Sequence, residues 1–362
     1  MNNPLLLGQF DEFVKHLSQK DKIALVHDLD PDGISSGVIT AHAVQFLRGK
    51  KIDLRIHQKP GEIALTEKTI KLLLQKKITK LITTDKAVEQ DLLLLKKAAQ
   101  ICDILIIDHH KIYSTELPSN VLLMKPQILL SPLDPSRYCT AKLAYDLWSR
   151  HVNLSPIAWK ACPGIIGDIA YVQWKSFVDE QLKKINGKIT KDPFHNIFGK
   201  MAEMFSQTEC YDYRKVGIIF NTLWKAKNPN DVLKSNLKKY STIVQKEIDY
   251  YMRHAKKLAV FYPKKQLIIY EIKPKYNIKS NLSTVLSMIY PNSTLILASL
   301  DKQKKNYTLS LRRQDQKIKM NELIEKALIG LQGSGGGHIP AAGGRVARKD
   351  FEKFKENVLK LL

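Results

Sequence analysis

This sequence predicts an α/β protein: a larger N-terminal parallel-sheet domain and a smaller C-terminal α/β domain, joined by a helical linker. Three observations lead there. Short apolar runs in the first part stop at acidic residues and alternate with stretches of helical spacing, the pattern of a parallel sheet with crossover helices. A long amphipathic, lysine-rich segment follows at roughly 230–258. Beyond it come further strand-like runs of alternating or continuous apolar character. The expected organisation is a first domain at 1–229, a helical linker at 230–258 and a second domain at 259–362.

The first strand is KIALVH at 22–27, which ends at Asp28-Leu29-Asp30-Pro31-Asp32-Gly33, with a helix expected over 34–46. KLITT at 80–84 ends at Asp85, and ILII at 104–107 ends at Asp108-His109-His110. In parallel sheets the ligand site lies beyond the carboxyl ends of the strands, where these acidic and imidazole groups fall. Helices are expected over 138–148 and 156–172 and in parts of 180–227. In the C-terminal part, QLIIYEI at 266–272, 294–300 and 307–312 read as strands, 333–337 as a glycine-rich turn, and 349–361 as a last helix.

The 362 residues carry 58 Lys and Arg against 35 Asp and Glu, a formal charge of +23, which points to a polyanionic partner. Hydrophobic residues, at 44%, supply enough material for buried cores. Cys102, Cys139, Cys162 and Cys210 form no Cys-x-x-Cys pair, so reduced core thiols are expected rather than a zinc knuckle or disulfide framework. Neither a secretory signal nor an apolar run of membrane-spanning length is evident, and a cytoplasmic protein without a membrane partner is expected.

Asp28, Asp30 and Asp32 place three carboxylates at alternate positions of a strand-to-loop segment, where an extended backbone brings them to one side. Carboxylates that close repel one another unless a cation compensates them. A calcium-binding loop opening at Asp28 is excluded, because its closing Glu falls on Ile39. Imidazole beside carboxylate, as at Asp108-His109-His110, suits Mn²⁺ better than Mg²⁺. Asp168 lies in an apolar, helical context and needs a partner if buried, which a metal would supply.

Taken in order, Asp28–Gly33, Asp85, Asp108-His109-His110 and Asp168 resemble the four motifs of the DHH phosphoesterase superfamily. Residues 333–343 (GSGGGHIPAAG) are similar to the glycine-rich signature of the DHH-associated domain, and Arg312 matches the strand-end arginine that precedes it. The resemblance spans nearly the whole chain. Two positions depart from the family pattern: Lys86, where relatives often carry a small, polar or imidazole residue, and the lysine-rich stretch 170–200.

The resemblance implies two divalent ions, Mn²⁺ preferred and Mg²⁺ possible, held by Asp28, Asp30, Asp32, Asp85, His109 and Asp168. Asp85 would bridge the ions, and His110 would stand by the scissile phosphate or, alternatively, orient His109. Arg312, Gly335, Gly336, Gly337 and His338 would bind the substrate. The activity implied is phosphodiester hydrolysis, with a RecJ-like single-strand exonuclease of the short archaeal kind as the first reading. Lysine pairs along an inter-domain groove, with Tyr250, Tyr251, Phe261 and Tyr262 as stacking platforms, would serve single-stranded nucleic acid. A nanoRNase or cyclic-dinucleotide phosphodiesterase, and a non-catalytic subunit working with replication or repair proteins, are the alternatives. Substrate polarity and oligomeric state are not encoded in any motif.

Overall fold

The computed structural model describes residues 1–62, 64–301, 303–337 and 339–362. It divides into two compact units, residues 1–241 and 242–362. Among the described residues no helix is long and apolar enough to cross a membrane.

The first unit holds a five-stranded sheet: β1 (Ile23–His27), β2 (Leu54–His57), β3 (Lys80–Thr84), β4 (Asp103–Ile107) and β5 (Val121–Met124), in the order β2-β1-β3-β4-β5. Every pairing is parallel. Both faces are covered, which explains the near-continuous apolar strands. Ile23, Leu25, Ile82, Leu105 and Ile107 point into one core, while Ala24, Val26, Leu81, Ile104 and Ile106 point into another. The smaller core is closed by α3 (Glu67–Gln75) and α4 (Leu92–Ala99). The larger one lies under α1 (Pro4–Lys15), α2 (Pro31–Arg48), α5 (Thr140–Trp148), α6 (Cys162–Gly167), α7 (Lys175–Lys184), α8 (Ile197–Tyr211), α9 (Val216–Lys225) and α10 (Pro229–Leu233).

Helix α2 is built by its own ends. Asp30 caps it, Pro31 occupies the first turn, and Gly49 stops it with φ +69°, a left-handed conformation that glycine adopts without a Cβ clash. The sequence reading anticipated β1, β3, β4 and α2 but not β2 or β5, both four residues long. The stretch expected as helix over 156–172 is a 3₁₀ segment, Ser155–Ala161, followed by α6, which ends at Asp168. Asp168 is therefore a C-cap residue, and not inside a helix.

Helix α11 (Leu237–Leu258) crosses the boundary between the units. The second unit has a sheet of β6 (Val260–Tyr262), β7 (Leu267–Ile272), β8 (Thr294–Leu300), β9 (Asn306–Arg312), β10 (Gly333–Gly337) and β11 (Ala341–Ala347), in the order β10-β11-β9-β8-β7-β6. Only β7 and β8 run parallel, and α12 (Lys279–Ile289) connects them. Met320, Leu323 and Ile324 of α13 (Met320–Ala327) and Phe351, Phe354 and Val358 of α14 (Phe351–Leu361) fill the core against β7, β8, β9 and β11. Gly333–Gly337, expected as a turn, is a strand antiparallel to β11. Its glycines allow this, since a Cβ on Gly335 would come within 2.7 Å of Ile324 on α13.

Candidate metal centre

Register brings the acidic groups together. His27 pairs with Thr84, and Thr84 with Ile107, so β1, β3 and β4 end level. Asp28, Asp85 and Asp108 are thus neighbours at the carboxyl edge of the sheet. Asp85 sits at φ +61°, a left-handed conformation that Asp tolerates better than most residues. Gly33 is required at the turn into α2, because a Cβ there would lie 2.7 Å from the backbone of Asp28.

The chain turns helical at Pro31, so the alternation expected for Asp28, Asp30 and Asp32 does not persist, and the three divide between two clusters. Asp28 and Asp30 gather with Asp85, while Asp32 gathers with His109 and Asp168; Asp85, His109 and His110 form a third cluster that overlaps both. Within each cluster one potential ligand atom per residue lies within 4.8 Å of the others. His109 Nε2 is 3.6 Å from Asp85 Oδ1, and its Nδ1 is 3.7 Å from Asp168 Oδ2. These separations are too long for good hydrogen bonds and near the roughly 3 Å expected between two ligands of one ion.

Several residues that sequence reasoning missed hold this constellation. Backbone N–H groups of Thr140 and Ala141, in the first turn of α5, donate to Asp32 at 2.7 and 2.8 Å. Thr140 Oγ1 donates to Asp85 Oδ1 at 2.9 Å. Lys125 is fully buried between Glu89 Oε1 at 2.6 Å and Asp108 Oδ2 at 2.8 Å. Asp108 Oδ1 takes His110 Nδ1 at 2.7 Å, so Asp108 orients His110 instead of joining the clusters. His27 Nδ1 contacts Asp28 O at 2.7 Å and packs on Phe220. Lys125, Thr140 and Ala141 come from segments distant in sequence, and no spacing announces them.

The electrostatics call for a cation. Burial, then the charges of Asp32, Asp30 and Asp28, hold the Asp85 carboxyl well above the usual range. Asp168 is raised in the same way by burial, Asp32 and Asp30, and Asp32 is pushed up to about 6 by burial against the opposing charge of His109. Asp30 keeps exposed surface, and its upward shift, from burial and Asp28, is the one that solvent screens most. Asp168 Oδ2 is buried without a hydrogen-bond donor among the described residues. Burial lowers His109, which favours the neutral, metal-binding imidazole. His110 goes the other way: burial opposes its charge, but Asp108, Asp28 and Asp168 raise it to about 9. Glu209 of α8, also unforeseen, is raised to about 7 by burial and by Asp30 and Asp28. The donor set and the orphaned oxygen fit a divalent metal.

Lys86, buried next to Asp85, places Nζ 3.2 Å from Asp28 Oδ1. The four cysteines are free and buried.

In the second unit, Arg312 ends β9 opposite Ala341, and its Nη2 donates to Ser280 Oγ at 3.2 Å. Lys279, at the start of α12, donates to Leu309 O at 3.2 Å, and burial and Arg312 lower it to about 8. Neither cation has a carboxylate partner among the described residues. Gly335 faces α13 and Gly337 has φ +145°, so packing and backbone explain both; of the three only Gly336 opens outward, where an added Cβ would come no nearer than 3.9 Å to its nearest neighbour, Glu325 Oε1. His338 lies outside the described residues. Of the expected stacking aromatics, Tyr250 and Phe261 are exposed, whereas Tyr251 belongs to the core, donated to by Lys273 N and set edge-on to Tyr270.

Residues 22–165 match the profile of the DHH family N-terminal domain, and residues 265–362 match that of the DHHA1 domain. No curated protein matches the chain. Among solved structures, an exonuclease RecJ bound to manganese superposes with a TM-score of 0.66 at 18% identity, covering 97% of this chain and 93% of that one. RecJ from Thermus thermophilus in complex with Mn²⁺ gives 0.70 at 17%, over 98% of this chain and 54% of that one. A DHH domain described as a member of a family of ribosomal proteins gives 0.75 at 16%, over 99% and 91%. At these identities the likeness establishes the fold.

Proposed function

Because this chain belongs to the DHH family, with a DHH domain followed by a DHHA1 domain, we propose that it is a metal-dependent phosphodiesterase. Its most specific form is a RecJ-like exonuclease releasing mononucleotides from single-stranded DNA or RNA. The observation that carries this reading is the convergence of Asp28, Asp30, Asp32, Asp85, His109, His110 and Asp168 into three overlapping ligand clusters.

In this reading Asp28, Asp30, Asp32, Asp85, His109 and Asp168 hold two divalent ions, Mn²⁺ in preference to Mg²⁺. Asp85 is the shared ligand, since it belongs both to the Asp28–Asp30 cluster and to the histidine cluster. When bound, such ions acidify a water and neutralise charge on the phosphoryl oxygens. The protein's own groups do the rest. Thr140 and Ala141 fix Asp32, so the ligand oxygens need no reorganisation. His110, oriented by Asp108 through a 2.7 Å hydrogen bond, is placed to give a proton to the leaving oxygen. Arg312, with Lys279 beside it, offers donors for a substrate phosphate. The charge of +23 favours a long polyanion over a dinucleotide.

The test is incubation with Mn²⁺ and end-labelled single strands of about 5 and 30 nucleotides, lengths that bracket typical single-strand sites. Stepwise shortening of the 30-mers, lost in an Asp85→Ala, His109→Ala variant, is expected. Cleavage of the 5-mers alone would replace the exonuclease with an oligonucleotide-specific enzyme. Salt-sensitive binding without cleavage would leave a binding subunit.

A further inference from the structure

The clusters of the metal centre are not equivalent, and Lys86 makes the difference. Its side chain is only 4% exposed, and Nζ lies 3.2 Å from Asp28 Oδ1, in the cluster that Asp28 forms with Asp30 and Asp85. The Asp32–His109–Asp168 cluster has no such ammonium among the described residues: Asp32 is bound by two backbone N–H groups, and Asp168 Oδ2 has no donor. One cluster thus has an ammonium in direct contact with a carboxylate, and the other has a buried carboxylate oxygen with no hydrogen-bond donor among the described residues.

The position of Lys86 leaves it little freedom. It follows Asp85, whose left-handed backbone ends β3, and precedes Ala87 and Val88, both buried. Its stem is enclosed, and Asp28 is its one ion-pair partner among the described residues. A buried ammonium stripped of its carboxylate is costly. A divalent ion that takes Asp28 as a ligand must either break this pair or accept a positive charge a few ångströms away.

We propose that Lys86 is a built-in monocation of the Asp28–Asp30–Asp85 cluster. The centre then takes one divalent ion tightly at Asp32–His109–Asp168, and a second only weakly, in competition with this ammonium. The proposal rests on the metal-centre reading above. Lys86 is thereby a positioning residue that sets metal occupancy: at low metal the ammonium holds Asp28 in place, and at high metal the second ion displaces it. Activity should follow the second, weaker binding event and so rise steeply with metal concentration.

Equilibrium dialysis of the full chain against Mn²⁺, with bound metal counted and spin-coupled pairs followed by electron paramagnetic resonance, tests this without recourse to activity. In the native protein one tight and one weak ion are expected. Lys86→Met, which keeps the stem and removes the charge, should tighten the weak ion about tenfold or more, the effect of removing a like charge a few ångströms away, and leave the tight one unchanged. Lys86→Arg should behave as the native protein. Two ions of equal affinity in the native chain would overturn the proposal, whatever the variants do. So would an unaltered second affinity in a cooperatively folded Lys86→Met or Lys86→Gln protein. No Mn²⁺ bound by any of these proteins would remove the metal centre itself, and the proposal with it.

Discussion

Asp32 couples folding to protonation, and on the proposed reading to metal as well. Two backbone donors from α5 hold its oxygens, yet burial lifts its carboxyl to about 6. In the unfolded chain the same group titrates near 3.8. Between those values the folded, metal-free protein binds the extra proton, so its stability falls as pH rises through that window. A shift of this size corresponds to about 2–3 kcal/mol. In chelator, thermal unfolding should therefore occur at higher temperature at pH 5.5 than at pH 7.5, and Mn²⁺ should raise it more at pH 7.5. An apo protein most stable at pH 7.5 would contradict the assignment. Asp28, Asp85, His109 and His110 were legible as residue types at strand ends, and Asp168 as an acidic residue in an apolar helical context. Lys125, Thr140 and Glu209 were not, because each reaches the site through the fold from a segment without a motif.

Helix α6 matters for its closeness to α2. At Gly164 a Cβ would meet Ala141 Cβ at 2.7 Å, Asp32 Oδ1 at 2.8 Å and Ser35 Cβ at 3.0 Å. At Gly167 it would meet Pro31 at 2.7 Å. These glycines let α6 deliver Asp168 beside Asp32. Gly164→Ala should cost about 1–3 kcal/mol by overpacking and weaken Mn²⁺ binding together with stability, seen in parallel denaturation and metal titrations. Loss of stability with metal affinity intact would show that α6 does not position the centre. The sequence suggested a helix running through Asp168; instead the helix stops there and Ile169 follows at φ +56°. Apolar periodicity continues past the point where the backbone turns, which is why the end was not visible.

Across the whole molecule, the two sheets follow different rules, and so did their legibility. The parallel sheet declares itself through its three central strands, β1, β3 and β4, apolar runs that end at acidic residues; the short edge strands β2 and β5 do not. The second sheet is mostly antiparallel, and its glycine strand β10 carries no side-chain pattern to read; only pairing with β11 makes it a strand. Function at this scale rests on one claim, that the carboxyl edge of the first sheet is a divalent-metal centre cutting phosphodiesters. The most direct measurement is hydrolysis of a chromogenic phosphodiester, which needs no nucleic-acid recognition, with Mn²⁺, with chelator, and in Asp85→Asn. Turnover that requires Mn²⁺ and falls on the order of a hundredfold or more in the variant is the predicted result. Turnover unaffected by chelator or by Asp85→Asn, or none with any divalent ion, would contradict it.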